Sequence, residues 1–465
     1  MPHSAAPTPP SPSAPSSGPA GVAHPRDRDH PLSRVPERDR KGVASLAVVI
    51  AGFGFFTPTM ATGGQVAVEF SFSTYLGLAF VSAIVLAAYI ATLGIASART
   101  GLTTVLLARL ALGRAGGKWA SLLLGGTQVG WYGITIGMLA TLLGGALGLS
   151  VTWPLIVAGG IAMAITAYTG FRGIELLSWL SVPLMTALCL WVAVSATNEA
   201  GGWGALFAHT GAGSMSVGTA LTLMIGTFIS GGTQIGNWTR FASGGRLAFG
   251  ITALTILAVQ FGLLGFGGLG AIGYGEPDFS TVLLTLGSTL LAVLLIITNL
   301  WTTNDNAAYA FGVAGAELTG KPDKRPFVVG GAAVAIVMAL TGIADALTAF
   351  LTMLGVLIPP LGGVLIGTFL LVWRRRDPGT ALDDVPMVRW PGTIAYLGGT
   401  AAALLGSLLD IGIPPVQGIA VALVLVVAGR AVTGRADRDT APSACGESQP
   451  IRPAPTDPNP TAKEH

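Results

Sequence analysis

Long apolar runs recur along the chain, each close to the length that crosses a bilayer and each separated from the next by a short polar or basic connector. They predict an all-α polytopic membrane protein. The runs fall near 42–70, 72–98, 119–147, 152–169, 174–196, 220–241 and 247–272, then through a segment ending in NLWTTNDNAAYA, and two more before Arg374. Segments at about 390–409 and 414–432 bring the expected count to 12 transmembrane helices.

The informative places are those where the apolar pattern fails. Between Asn299 and Ala310 the chain packs Thr302, Thr303, Asn304, Asp305 and Asn306 into what should be a membrane helix. On a helix Asn299, Thr302, Thr303 and Asn306 fall at i, i+3, i+4 and i+7, which aligns their oxygens and amides along one stripe suited to a cation stripped of water. The first segment holds Gly52, Gly54, Pro58, Gly63 and Gly64, so it should break or kink; an unwound stretch would expose carbonyls to a cavity. In the third, Gln128 and Trp131 share a face among glycines that leave room beside an indole and an amide. The sixth is weakened by Gly226, Gly231, Gly232 and Gly236 around Phe228 and Ser230. Segments one and six would enter from opposite sides, and segments three and eight carry the polar groups at equivalent positions, which is the pattern of two inverted five-helix repeats with broken helices 1 and 6.

Composition and charge sharpen this. With 51% hydrophobic and 10% charged residues and a mean hydropathy of +0.68, the 465 residues do not make a soluble protein. All 25 Lys and Arg fall in the tails or in connectors on one side of the 12-helix count, whereas Glu69, Glu199, Glu276, Asp345 and Asp410 lie on the other. The bias places both termini in the cytoplasm and the protein in the cell inner (plasma) membrane. The expected organisation is a disordered tail over 1–41, a transport core over 42–372, a cytoplasmic loop over 373–389, helices 11 and 12 over 390–433, and a disordered tail over 434–465. Cys189 and Cys445 read as free thiols, four of the five histidines lie in the tails, and no cofactor, enzymatic chemistry or nucleic-acid partner is implied.

The stretches RKGV at Arg40, TGLTT at Thr100, LLLGGTQVGW at Leu122, TFIS at Thr227, WTTNDNAAYA at Trp301, and IPP with GGV near Ile358 together resemble the nucleobase:cation symporters, and within them the bacterial cytosine permease branch. The resemblance implies a LeuT-like five-plus-five inverted repeat and sodium-coupled import of cytosine. It implies that Trp131 and Phe228 sandwich the base while Gln128 and Ser230, with Asn299, contribute polar contacts. It also implies a sodium site from the Thr302 and Thr303 hydroxyls with carbonyls near Gly52, Phe55 and Asn299. A relative that carries another base or related compound, such as a purine, uracil, allantoin or a hydantoin, or that couples to protons, is the competing expectation.

Overall fold

A computed structural model describes residues 29–276, 282, 289–373, 382 and 384–439. The expected tail segments 1–28 and 440–465, with Cys445, and part of the outer loop that holds Asp278 lie outside the described residues. Among the described residues the chain is helical. The helices are α1 (Val43–Gly54), α2 (Thr57–Ala67), α3 (Phe72–Thr100), α4 (Thr104–Leu112), α5 (Arg114–Leu147) and α6 (Trp153–Tyr168), followed by α7 (Phe171–Glu199), α8 (Trp203–Ala208), α9 (Val217–Thr233), α10 (Gly236–Thr239) and α11 (Gly245–Tyr274). After these come α12 (Thr289–Thr319), α13 (Arg325–Leu340), α14 (Leu347–Thr368), α15 (Trp390–Leu408) and α16 (Pro414–Asp439). Helices α3, α5, α7 and α11, and α14 extended through the π-helical turn Phe369–Trp373, are each long and apolar enough to cross a membrane; α1 and α2 together make one more such span, bent by 55°.

The bundle buries Leu, Ile and Val together with glycine, alanine and hydroxyl residues between its helices, and it also turns many large aliphatic side chains outward. Leu176, Leu180 and Leu254 are 75%, 69% and 71% exposed, as expected where the solvent of the helix exterior is hydrocarbon. Helix α12 packs against α5, α7, α13 and α1, which makes it the central element of the site described below.

Three features differ from the expectations. Residues 29–41, expected in a disordered tail, form a strap across the basic end of the bundle. Val35 is buried, its amide donates to Gly101 O (3.0 Å), and Gly101, at φ 69°, closes α3 so tightly that a side chain there would strike Arg34. The strap is fixed further by Lys41 N to Phe241 O (2.7 Å) and by a buried pair between Lys324 Nζ and Asp29 Oδ2 (2.6 Å). Arg240, wholly buried, donates to Asp29 O (2.5 Å), His30 O (2.7 Å) and Tyr309 Oη (3.0 Å). The apolar residues of this strap are few, so hydrophobic patterning alone does not reveal it.

Second, the basic connector after α3 contains α4. Thr103 caps it by accepting from Leu106 N (3.2 Å), and every residue of α4 except Arg109 is buried. In the same corner, residues 386–389 of the expected cytoplasmic loop run alongside α4 and α5, with Arg114 N to Pro386 O and Arg389 N to Leu112 O both at 2.9 Å. Third, α9 runs unbroken through the glycine-rich stretch to Thr233, and the interruption comes at Gln234–Ile235 before α10. The glycines serve close packing instead: a Cβ on Gly231 would lie 2.8 Å from Phe53 Cζ, and one on Gly232 would overlap Ile90.

Candidate functional site

The break between α1 and α2 sets the geometry. In a continuous helix Thr57 N would bond Phe53 O, but it donates to Asn299 Oδ1 (3.1 Å), which also accepts from Thr57 Oγ1 (2.6 Å). Pro58 has no amide to offer Gly54 O, and Thr59 N goes to Phe56 O (2.9 Å) rather than to Phe55 O. The carbonyls at the end of α1 thus lose their helical donors, and one of them, Phe55 O, accepts instead from Thr303 Oγ1 (2.9 Å). Gly52 lies against Thr302, since a Cβ there would come within 2.8 Å of Thr302 Cγ2. The five residues expected around a cation therefore converge: Gly52 and Phe55 from α1, and Asn299, Thr302 and Thr303 from α12. All five are buried.

The rest of the polar run on α12 has other partners. Asn304 accepts from Thr135 Oγ1 on α5 and donates to Met163 Sδ (3.1 Å) on α6, and Asp305 accepts from Thr166 Oγ1 on α6. Trp301 Nε1 also donates to Thr166 Oγ1 (3.0 Å). These bonds tie α12 to α5 and α6, on a different side from the α1–α2 break. Asp305 Oδ2 and Asn306 Oδ1 have no hydrogen-bond partner.

Beside the break lies a cavity lined by Phe53, Phe56, Gln128, Trp131, Thr227, Phe228, Ser230, Gly231, Thr303 and Ala307. The space open to the centre of a water molecule is only ≈ 20 Å³, room for about one water, so the cavity is contracted. Trp131 Nε1 donates to Ser230 Oγ (3.0 Å) inside it. The amide nitrogen of Gln128, 2% exposed, has no partner and is available to an acceptor. Trp131 stands edge-on to Phe56 (4.7 Å, 84°) and Phe350 (5.2 Å, 83°), while Phe228 meets Phe53 at 5.0 Å and 65°. Gln260, from α11, donates to Thr227 Oγ1 (3.2 Å) and Met224 O (2.9 Å), which fixes this face of α9.

Of the residues expected to contact a base, Gln128, Trp131, Phe228 and Ser230 share this cavity, and Asn299 does not line it; its carboxamide oxygen is committed to Thr57. The glycines beside Trp131 make room for protein rather than ligand: Gly125 faces Ala314, Gly130 faces Phe350 and Gly133 faces Ala335 O. Sequence reasoning missed Phe53 and Phe56 in the lining and Phe350 behind Trp131. Thr303 belongs to both groups, with its side chain on the cavity wall and its hydroxyl on the α1 carbonyl.

Comparison with known proteins agrees with this architecture. The family described as permease for cytosine/purines, uracil, thiamine, allantoin matches residues 34–426. Cytosine permeases of Escherichia coli K12 and of Escherichia coli O157:H7 are each 36% identical over 380 residues, covering 81% of this chain and 89% of theirs. Among solved structures, Mhp1, a nucleobase-cation-symport-1 family transporter in a closed conformation with bromovinylhydantoin bound, superposes with a TM-score of 0.76 at 19% identity, over 90% of this chain and 97% of Mhp1. A Na+-coupled sialic acid symporter shares the fold with a TM-score of 0.63 at 12% identity, over 86% of this chain and 90% of its own. The chain therefore belongs to the nucleobase-cation symporter family, the permeases for cytosine and purines, uracil, thiamine and allantoin, and is a multi-pass membrane transporter rather than an enzyme.

Proposed function

We propose that this protein is a cytosine permease that carries cytosine into the cell together with sodium, by alternating access through two inverted five-helix repeats followed by two further helices, 12 spans in all. The observation that carries the reading is the cavity that joins Trp131, Phe228, Gln128 and Ser230 and shares Thr303 with the broken end of α1. A neutral pyrimidine offers two flat faces and an edge of donors and acceptors. Aromatic plates stack on the faces for about 1–3 kcal/mol per base, by analogy with single-strand binders, and the Gln128 amide and Ser230 hydroxyl read the edge. Such a ligand needs no buried charge, and no charged side chain lines the cavity.

For a base to sit between the rings, the Trp131–Ser230 bond opens and the indole swings aside. Sodium is a hard cation suited to the carbonyls of Gly52, Phe55 and Asn299 and the hydroxyls of Thr302 and Thr303. Because Thr303 stands in both groups, filling one orders the other, which is the physical basis for coupling. The strap of residues 29–41 closes the basic end, which the positive-inside rule assigns to the cytoplasm of a cell whose inner (plasma) membrane holds the protein, with both termini inside. Release inward then requires the Arg240 and Lys324 contacts to open. The competing reading, proton coupling, rests on Asp305, a buried carboxyl with one oxygen unpartnered.

Uptake of labelled cytosine, challenged with unlabelled uracil, adenine, hypoxanthine and allantoin, tests the substrate. Added unlabelled cytosine should compete strongly and these four weakly; competition by any of the four stronger than that by cytosine would reassign the substrate within the family.

A further inference from the structure

The buried hydroxyls of Thr100, Thr233 and Thr239 each bond a carbonyl one turn back along their own helix. Ser178, wholly buried on α7, does not: its Oγ has no hydrogen-bond partner. A hydroxyl so placed is destabilising unless something else meets it. The direction in which it points is fixed by the packing of α1. A Cβ built on Gly52 would lie 2.6 Å from Ser178 Oγ and 2.8 Å from Thr302 Cγ2, so α7 and α12 press Ser178 and Thr302 onto the same Cα from their two sides. Glycine at 52 is what allows this approach. The unpartnered oxygen therefore lies next to two of the five residues assigned above to sodium.

We propose that Ser178 supplies a further oxygen to the bound sodium, bringing α7 into a site otherwise made by α1 and α12. The inference rests on the sodium reading above. A desolvated hard cation gains from each neutral oxygen brought to it, and an orphaned hydroxyl gains a partner by the same step. It also gives α7 a part in the coupling: with the ion in place α7 is held to the break in α1, and without it that contact is only van der Waals packing.

A purely structural Ser178 predicts a different sign. Replacing an orphaned buried hydroxyl by a methyl group is neutral or stabilising when nothing binds it. The test uses the purified full-length protein, with thermal unfolding and cytosine binding both titrated with sodium chloride against choline chloride at constant ionic strength. Ser178→Ala should unfold at the same or a higher temperature than wild type without sodium, yet need roughly tenfold more sodium for the half-maximal shift, the effect of about 1.4 kcal/mol. Ser178→Cys, which keeps the bulk but offers a soft sulfur, should behave like Ser178→Ala and serves if the latter folds poorly. Thr303→Ala is the reference for the ion site itself. A wild-type sodium midpoint in both Ser178 variants, with the midpoint shifted in Thr303→Ala, overturns the role of Ser178 alone. Indifference of the wild type to sodium overturns the sodium reading and this inference together.

Discussion

Trp131→Phe is the most informative single change at the cavity. The indole is 4% exposed, held edge-on by Phe56 and Phe350, and bonded through Nε1 to Ser230 Oγ at 3.0 Å. Phenylalanine keeps one flat ring but removes the pyrrole portion and the N–H. If full stacking on a base is worth about 1–3 kcal/mol, losing about half of the ring area costs about 0.5–1.5 kcal/mol. The Nε1–Ser230 bond is one that binding has to open, so its loss adds no penalty to the bound form. The stacking loss alone, about 0.5–1.5 kcal/mol, is a rise of about 2- to 13-fold in the Kd for cytosine. Trp131→Ala removes the stacking face altogether and should leave no measurable binding. It also opens a void that costs about 3–5 kcal/mol of stability, so abundance falls as well. Binding must therefore be measured per folded molecule, by scintillation proximity on purified protein whose folded fraction is known. Normal cytosine binding per folded molecule in Trp131→Ala would remove the indole from the site and refute the stacking argument.

Further outcomes follow from the same geometry. Gly231→Ala places a methyl 2.8 Å from Phe53 Cζ and 3.2 Å from Phe228 Cε2, and Phe53 is backed by Trp238 at 4.3 Å, so the rings should be driven into the cavity. Overpacking of about 1–3 kcal/mol should weaken cytosine binding 5- to 150-fold with the sodium midpoint little changed, as read by a two-ligand titration. Asp29→Asn leaves the buried Lys324 ammonium without its carboxylate; breaking a buried pair costs about 3–5 kcal/mol, seen as a lower unfolding temperature and faster amide exchange in the strap. At the opposite end, Glu69 accepts from Ser214 Oγ (2.6 Å) and Ser214 N (3.0 Å), bonds that hold its carboxyl below the usual value. The clasp is therefore fully present above the ordinary glutamate range and is lost as pH falls through the lowered value, so the protection of Ser214 N relative to its intrinsic exchange rate should fall in acid, and in Glu69→Gln that acid step should vanish.

The parts of the molecule that were legible in the sequence are those where a residue contradicts its surroundings. Gln128, Ser230, Asn299, Thr302 and Thr303 interrupt apolar runs and so announce themselves, and Pro58 with its glycines marks the α1–α2 break. Phe53 and Phe56 are as much a part of the cavity, and Phe350 backs Trp131, but a phenylalanine in an apolar helix is no anomaly. Glycine misled for a related reason: it signals either a weak helix or a close approach, and in α9 the approach of Phe53 and Ile90 is what Gly231 and Gly232 serve, with the interruption displaced to Gln234–Ile235. Helix α4 was hidden because its basic flanks read as a connector, although Thr103 and the spacing of Leu106, Leu107 and Leu110 do carry a capped helix. The strap was hidden because it is held by ion pairs and backbone bonds between residues up to 295 positions apart, which no local pattern records.

The central claim is that one chain carries cytosine and sodium together. Purified protein in sealed liposomes, preloaded with potassium at equal pH inside and out, should accumulate labelled cytosine when sodium is added outside and should release it when the gradient collapses with a sodium ionophore. Accumulation that follows an imposed proton gradient and ignores sodium would contradict the account and move the coupling to Asp305.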